Sequence, residues 1–202
     1  MKKYILLLAG VLMQTLLLNA GEPYKAGDIA ADISLKNING DMISFSQFKD
    51  TKGFIVVFCC NTCPVVKKYQ QRIIDLDGQF SSKGYPVIAI NSNDSNVSPG
   101  DSFEEMQKLA KSKGFTFQYL YDESQQIAKL YGATNTPHVY VLSKKGGKLI
   151  VEYVGAIDNN ADDPSQADKK YVVNAVKALL NNEQVPVAST KAIGCSIKWK
   201  RT

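Results

Sequence analysis

The stretch Phe54-Ile-Val-Val-Phe-Cys-Cys60-Asn-Thr-Cys63-Pro64 constrains this chain more than any other. An apolar run from Gly53 to Cys59 without polar alternation is what a strand covered on both faces requires, so a central strand is expected here. Pro64 suits the first turn of a helix, where its missing N–H would have had no partner. The strand therefore delivers Cys60 and Cys63, spaced by two residues, to a helix start. Such a start offers unpaired backbone N–H groups and the positive end of a dipole, both of which favour a thiolate. The layout is that of a dithiol exchanging electrons through sulfur.

Residues 1–20 read as a secretory signal peptide. Lys2 and Lys3 precede an apolar stretch from Tyr4 to Leu18, and Ala20 and Gly21 are small enough to flank a cut. The rival is an uncleaved anchor, but a spanning helix wants roughly 20 apolar residues and Gln14 and Thr15 interrupt this one. The expected location is periplasmic or secreted, with no stable membrane insertion after cleavage. Export also places Cys59, Cys60, Cys63 and Cys195 where disulfides persist. Residues 21–202 then form one domain of ordinary globular balance, 45% hydrophobic and 21% charged for the whole chain. Losing Lys2 and Lys3 lowers the formal charge from +5 to +3. That surplus, without an arginine-rich or aromatic-basic face, excludes a nucleic-acid partner.

Along the mature chain, alternation from Ile33 to Phe45 around Asn39-Gly40 predicts a β-hairpin. Val66, Tyr69, Ile73, Leu76 and Phe80 recur at helical spacing after Pro64, until Ser81-Ser-Lys-Gly84 ends the run. Pro86 to Asn91 is a second buried strand. Ser92 to Gly100 is a polar loop, and Asn91 to Asp94 is assigned no chemistry. Ser102 and Glu105 form a capping box for a helix carrying Met106, Leu109 and Ala110. An extended segment is expected at Phe115 to Tyr121 and a helix at Glu123 to Tyr131, closed by Gly132. His138 to Leu142 and Leu149 to Val154 form an antiparallel pair across Gly146-Gly147. A last helix carries Val172, Ala175, Val176, Leu179 and Leu180, and a tail from Pro186 holds Cys195 and Trp199.

This order resembles the thioredoxin-like fold: an α/β architecture with a central mixed β-sheet flanked by helices, an N-terminal β-hairpin and a C-terminal tail. Within it, the hairpin, the inserted helix around Glu104 to Lys111 and Tyr131-Gly-Ala-Thr-Asn-Thr-Pro137 look like the redoxin branch, peroxiredoxin-like (AhpC/TSA-type) and TlpA-like. Cys60-Asn-Thr-Cys63-Pro64-Val-Val-Lys67 and Gly194-Cys195-Ser-Ile-Lys-Trp199 look closest to bacterial redoxin-domain proteins. The resemblance implies that Cys60 is the nucleophile and Cys63 the resolving thiol. It also implies that Pro137 is cis and faces the dithiol, presenting the Thr136 backbone to an extended substrate. Two departures stand out. The strand from Gly53 to Cys59 holds no carboxylate to assist proton transfer, and the threonine that peroxiredoxins carry three positions before their cysteine is Cys60 here.

The remaining polar candidates are weighed by what their chemistry needs. A zinc site needs about four Cys or His ligands, and the chain adds only Cys59, Cys195 and the single His138 to the pair. Strand alternation turns Cys59 away from Cys60 as a buried inert thiol, whereas Cys60, at the strand end, is expected to be accessible. Cys195 is either a third redox cysteine folding back on the dithiol or a packing residue. Lys67 and Lys68 either favour the thiolate or form a solvated helix face. Asp158, Asn160 and Asp162 imitate a calcium loop, but Asp163 stands where glycine is required and Lys169 where glutamate is.

The expected function is an exported thiol-disulfide oxidoreductase. It cycles Cys60 and Cys63 with Pro137 and substrate-facing Thr136, and it requires no metal or cofactor. Its partners are a protein or small-molecule thiol or disulfide substrate and an unidentified electron donor. The alternatives are a thiol peroxidase reducing hydroperoxides and a copper carrier using Cys60, Cys63 and His138, since thiolates suit copper(I). Every version of the dithiol reading expects Cys60 and Cys63 to be neighbours that a partner can reach.

Overall fold

The computed structural model describes residues 22–201, so the expected signal peptide lies outside the described residues. The chain enters through three short strands, β1 (Ile29–Ala30), β2 (Leu35–Asn37) and β3 (Met42–Ile43). β2 and β3 are the hairpin read from the alternation, antiparallel with Leu35 opposite Ile43. Gly40 closes it by donating its N–H to the Asn37 carbonyl at 2.8 Å from a φ of 97°, a conformation that glycine adopts without a Cβ penalty.

β4 (Gly53–Cys59) is buried along its whole length, as an unalternating apolar run demands. The helix α1 (Pro64–Phe80) follows with Pro64 in its first turn, and it buries Val66, Tyr69, Ile73, Leu76 and Phe80. Burying each such side chain is worth roughly 1.5–3 kcal/mol, so packing rather than propensity holds the helix in place. β5 (Val87–Asn91) leads to α2 (Phe103–Lys113), where the Ser102 hydroxyl accepts the Glu105 N–H at 3.3 Å as the capping pattern requires.

β6 (Gln118–Tyr121), α3 (Gln126–Tyr131), β7 (Asn135–Thr136), β8 (His138–Lys145), β9 (Lys148–Gly155), α4 (Tyr171–Leu180) and β10 (Cys195–Ser196) complete the chain. α3 starts later than the expected Glu123, because Gln125 turns left-handed at φ 62° and the buried Asp122 carboxylate accepts the Ala128 N–H at 2.9 Å. β6 is shorter than the apolar run around it. Phe115 and Phe117 instead stack on each other, with ring centroids 4.6 Å apart. β10 has no counterpart in the sequence reading.

The main sheet runs β1-β9-β8-β4-β5-β6-β2-β3, with β4, β5 and β6 parallel and β8 antiparallel beside β4. β4 is thus central, and its alternate residues feed two cores. Ile55 and Val57 face α1, α2 and α4, while Phe54, Val56 and Phe58 face α3, the entry strands and Ile197 of the tail. No helix among the described residues is long and apolar enough to cross a membrane.

Candidate functional site

β4 ends at Cys59 and α1 begins at Pro64, which leaves Cys60 in the intervening turn and makes Cys63 the N-cap residue of the helix. Opposite them lies the Thr136-Pro137 peptide, which is cis. Cys60 Sγ stands 3.2 Å from Thr136 Oγ1, a contact in which either group can donate. As a thiol, Cys63 donates to the Thr136 carbonyl at 3.3 Å. The fold therefore brings Cys60, Cys63, Thr136 and Pro137 together, and both sulfurs meet one residue.

The two thiols differ in electrostatics. Burial pushes Cys60 up to about 11, with the Thr136 hydroxyl opposing the shift and the Asp101 carboxylate adding to it. Burial acts on Cys63 in the same sense, but the Cys195 side chain and the N–H groups of Val66, Cys195 and Val65 outweigh it, so this thiol lies below its ordinary value. These are the free N–H groups of a helix start, reinforced by the tail. The surroundings of the two sulfurs thus favour a thiolate at Cys63 more than at Cys60, the residue that the resemblance implies as nucleophile.

Accessibility also departs from expectation. Cys60 and Cys63 are each 2% exposed. The cover is the C-terminal tail, whose β10 pairs antiparallel with β7, setting Cys195 opposite Thr136. A tail folding back through Cys195 was one of two readings of the sequence, but a strand carries no sign of which edge it will join, so the pairing with β7 was not legible. Cys59 is corrected as well: it lines the same apolar space as Cys60, with Val66, Ile73 and Tyr119, because alternation stops where β4 ends. Burial raises its thiol strongly, as expected of an inert packing residue.

Asp101, fully buried, holds the loop between the two cysteines and was missed by sequence reasoning. Its carboxylate accepts the Asn61 N–H at 2.6 Å, the Thr62 hydroxyl at 2.7 Å, the Ser98 hydroxyl at 2.6 Å and the Asn93 amide at 2.9 Å. Tyr119 adds a hydrogen bond to the Asn61 side chain at 2.8 Å. β4 holds no carboxylate, and the buried one that steadies the cysteine loop comes from the turn before α2. Its only sequence signal was an acidic residue next to a predicted N-cap.

Other candidates resolve to structural roles. Asp158 accepts from Tyr69 at 2.8 Å and from Arg72 at 2.6 Å, so the imitation calcium loop is spent on a buried ion pair. Lys68 is exposed and pairs with Asp162. Burial takes His138 down to about 4, with its ring against Tyr140 at 4.9 Å and its Nδ1 without a hydrogen-bond partner. No group of three His, Cys, Asp or Glu among the described residues is arranged to hold a metal, so Cys60, Cys63 and His138 do not stand together as a three-ligand set. His138 begins β8 and packs with that strand.

A model of the AhpC/TSA family matches residues 26–152. The thiol-disulfide oxidoreductase ResA of Halalkalibacterium halodurans is 21% identical over 133 residues, covering 66% of this chain and 70% of the relative. The crystal structure of an uncharacterized conserved protein from Geobacillus kaustophilus superposes with a TM-score of 0.81 at 35% identity, covering 88% of this chain and 93% of that one. A thiol:disulfide interchange protein of the thioredoxin family from Chlorobium tepidum TLS superposes at 0.56 with 17% identity, covering 79% and 98%. The fold is thioredoxin-like, as the order of elements implied.

Proposed function

The chain belongs to the AhpC/TSA family, and on that premise we propose that it is an exported thiol-disulfide oxidoreductase whose residues 21–202 act as one redoxin domain. The carrying observation is the N-cap position of Cys63, where helix N–H groups favour its thiolate beside the Thr136-Pro137 peptide and within reach of a second thiol. The similarity to ResA supports the same reaction class. Export rests on the signal-peptide pattern of residues 1–20.

In the reductive direction the Cys63 thiolate attacks one sulfur of a substrate disulfide. A Cys63–substrate bond forms, the substrate bond breaks, and one substrate thiolate leaves with the electron pair. Cys60 then loses its proton and attacks Cys63 Sγ. This closes the Cys60–Cys63 disulfide and releases the second substrate sulfur, which takes up a proton. Two electrons have passed to the substrate, and an external dithiol donor restores the pair. Pro137 and the Thr136 backbone orient the substrate segment, which docks in extended form on the edge that β10 fills in this structure and must vacate.

The test is mixed-disulfide trapping with oxidised glutathione and with insulin as probes. In a Cys195→Ser background, which removes the third thiol, Cys60→Ser is expected to accumulate an adduct on Cys63, and Cys63→Ser to accumulate none. Adducts confined to Cys63→Ser would restore the order implied by the motif. Hydrogen peroxide consumption with sulfenic acid captured on Cys63, in the absence of any disulfide-reducing activity, would replace the reading with a thiol peroxidase.

A further inference from the structure

We propose that the C-terminal tail is a displaceable strand occupying the substrate edge of the site, and that Cys195 latches it there through a disulfide with Cys63. The inference rests on the dithiol reading above and adds a third redox residue to it. It starts from where the tail lies. β10 hydrogen-bonds to β7 with Cys195 opposite Thr136 and Ser196 opposite Asn135, so the tail fills the backbone edge on which an extended substrate would add as a strand.

The tail is fitted to that edge rather than draped over it. A Cβ at Gly194 would lie 2.0 Å from the Thr136 carbonyl oxygen and 3.1 Å from the Pro137 nitrogen, so only glycine lets the tail press on this peptide. The Asn135 amide donates to the Gly194 carbonyl at 3.1 Å, and the Ile197 N–H to the Thr134 carbonyl at 3.0 Å. Farther along, Asn93 accepts the Lys198 N–H at 2.9 Å, while the Asp94 N–H and the Gln125 amide donate to the Lys198 carbonyl at 2.8 and 2.9 Å. Ile197 is 3% exposed in the second core. The polar run at Asn91 to Asp94 thus has a use, as a clamp for the strap.

Cys195 is the part of the strap that meets the chemistry. Cys195 stands opposite Thr136, the residue whose carbonyl accepts from Cys63 at 3.3 Å, and packs against the cluster that holds Cys63. It is only half buried, whereas Cys63 is closed to solvent. Beginning from the Cys60–Cys63 disulfide, Cys195 gives up its proton and attacks Cys63 Sγ. The Cys63–Cys195 bond forms, the Cys60–Cys63 bond breaks, and the electron pair goes to Cys60, which takes up the proton. No electrons enter or leave the protein. The product has a latched tail and Cys60 as a buried neutral thiol, the form that its apolar surroundings favour. The reverse exchange frees the tail and opens the edge to substrate.

The test uses the full mature chain, oxidised with trans-4,5-dihydroxy-1,2-dithiane, alkylated and mapped by mass spectrometry. Oxidised protein is expected to yield both Cys60–Cys63 and Cys63–Cys195 peptide pairs, and Cys60→Ser to yield the Cys63–Cys195 pair within one chain. Gly194→Val, which leaves every cysteine in place, is expected to lower the Cys63–Cys195 yield and to speed iodoacetamide labelling of reduced Cys63 about tenfold by releasing the cover. A Cys60–Cys63 disulfide that forms with no Cys63–Cys195 pair in either protein would overturn the latch while leaving the proposed function intact. Failure of the Cys60–Cys63 disulfide itself would overturn the functional reading. Unchanged Cys63 labelling in Gly194→Val would refute displacement of the tail.

Discussion

Asp101 is fully buried, and its carboxylate takes hydrogen bonds from Asn61, Thr62, Asn93 and Ser98, so the loop between the two cysteines is anchored on one negative charge. That charge also opposes ionisation of Cys60. Asp101→Asn keeps the shape but removes the charge and turns an amide donor toward a donor-rich pocket. We expect a stability loss of about 2–4 kcal/mol in urea unfolding, because buried hydrogen bonds to a charged acceptor are the costly ones to lose. We also expect the Cys60–Cys63 pair to become more oxidising, since the thiolate form is no longer repelled. An unchanged redox potential would remove Asp101 from the electrostatics of the site. The position of Cys60 and Cys63 between β4 and α1 was legible in the sequence, because strand, spacing and Pro64 are local signals. Asp101 was illegible because it lies 40 positions from Asn61 and only the packing of α2 against the sheet brings it there.

α1 is the element that turns a cysteine spacing into a site. Its start makes Cys63 an N-cap, and its apolar face fixes that start against β4 through Val66, Tyr69, Ile73, Leu76 and Phe80. Ile73 is 3% exposed in this cluster. Ile73→Ala is expected to cost about 2–5 kcal/mol through the lost transfer energy and the cavity left behind. Denaturant melts check the cost. A loss below about 0.5 kcal/mol would mean that the helix is not held by this face. The face was readable from its 3.6-residue period. β10 was not, because Cys195–Ser196 is only two residues long and owes its conformation to the β7 edge it joins.

The molecule as a whole carries a pH dependence through its single histidine. His138 is buried and falls to about 4 in the fold, whereas in the unfolded chain it takes a proton below about 6.5. Between these values the unfolded state holds more protons, so stability declines as pH falls through this window. At about 1.4 kcal/mol per pH unit the loss is on the order of 3 kcal/mol by pH 4. Urea unfolding from pH 7 to pH 4 is expected to follow this trend in the wild type and to flatten in His138→Gln. An identical slope in both would assign the loss to carboxylates instead. The apolar run at Gly53 to Cys59, the helical period after Pro64 and Pro64 itself were enough to place a buried strand and a dithiol at a helix start, because strand burial, helix periodicity and proline chemistry act within a few residues; the thioredoxin-like sheet was what the resemblance of the element order implied. Which thiol is favoured as thiolate, which carboxylate steadies the loop and what covers the dithiol depended on Asp101, Thr136 and Cys195. These residues reach the cysteines only when distant strands and loops pack, and electrostatics and strand pairing act through space, not along the chain.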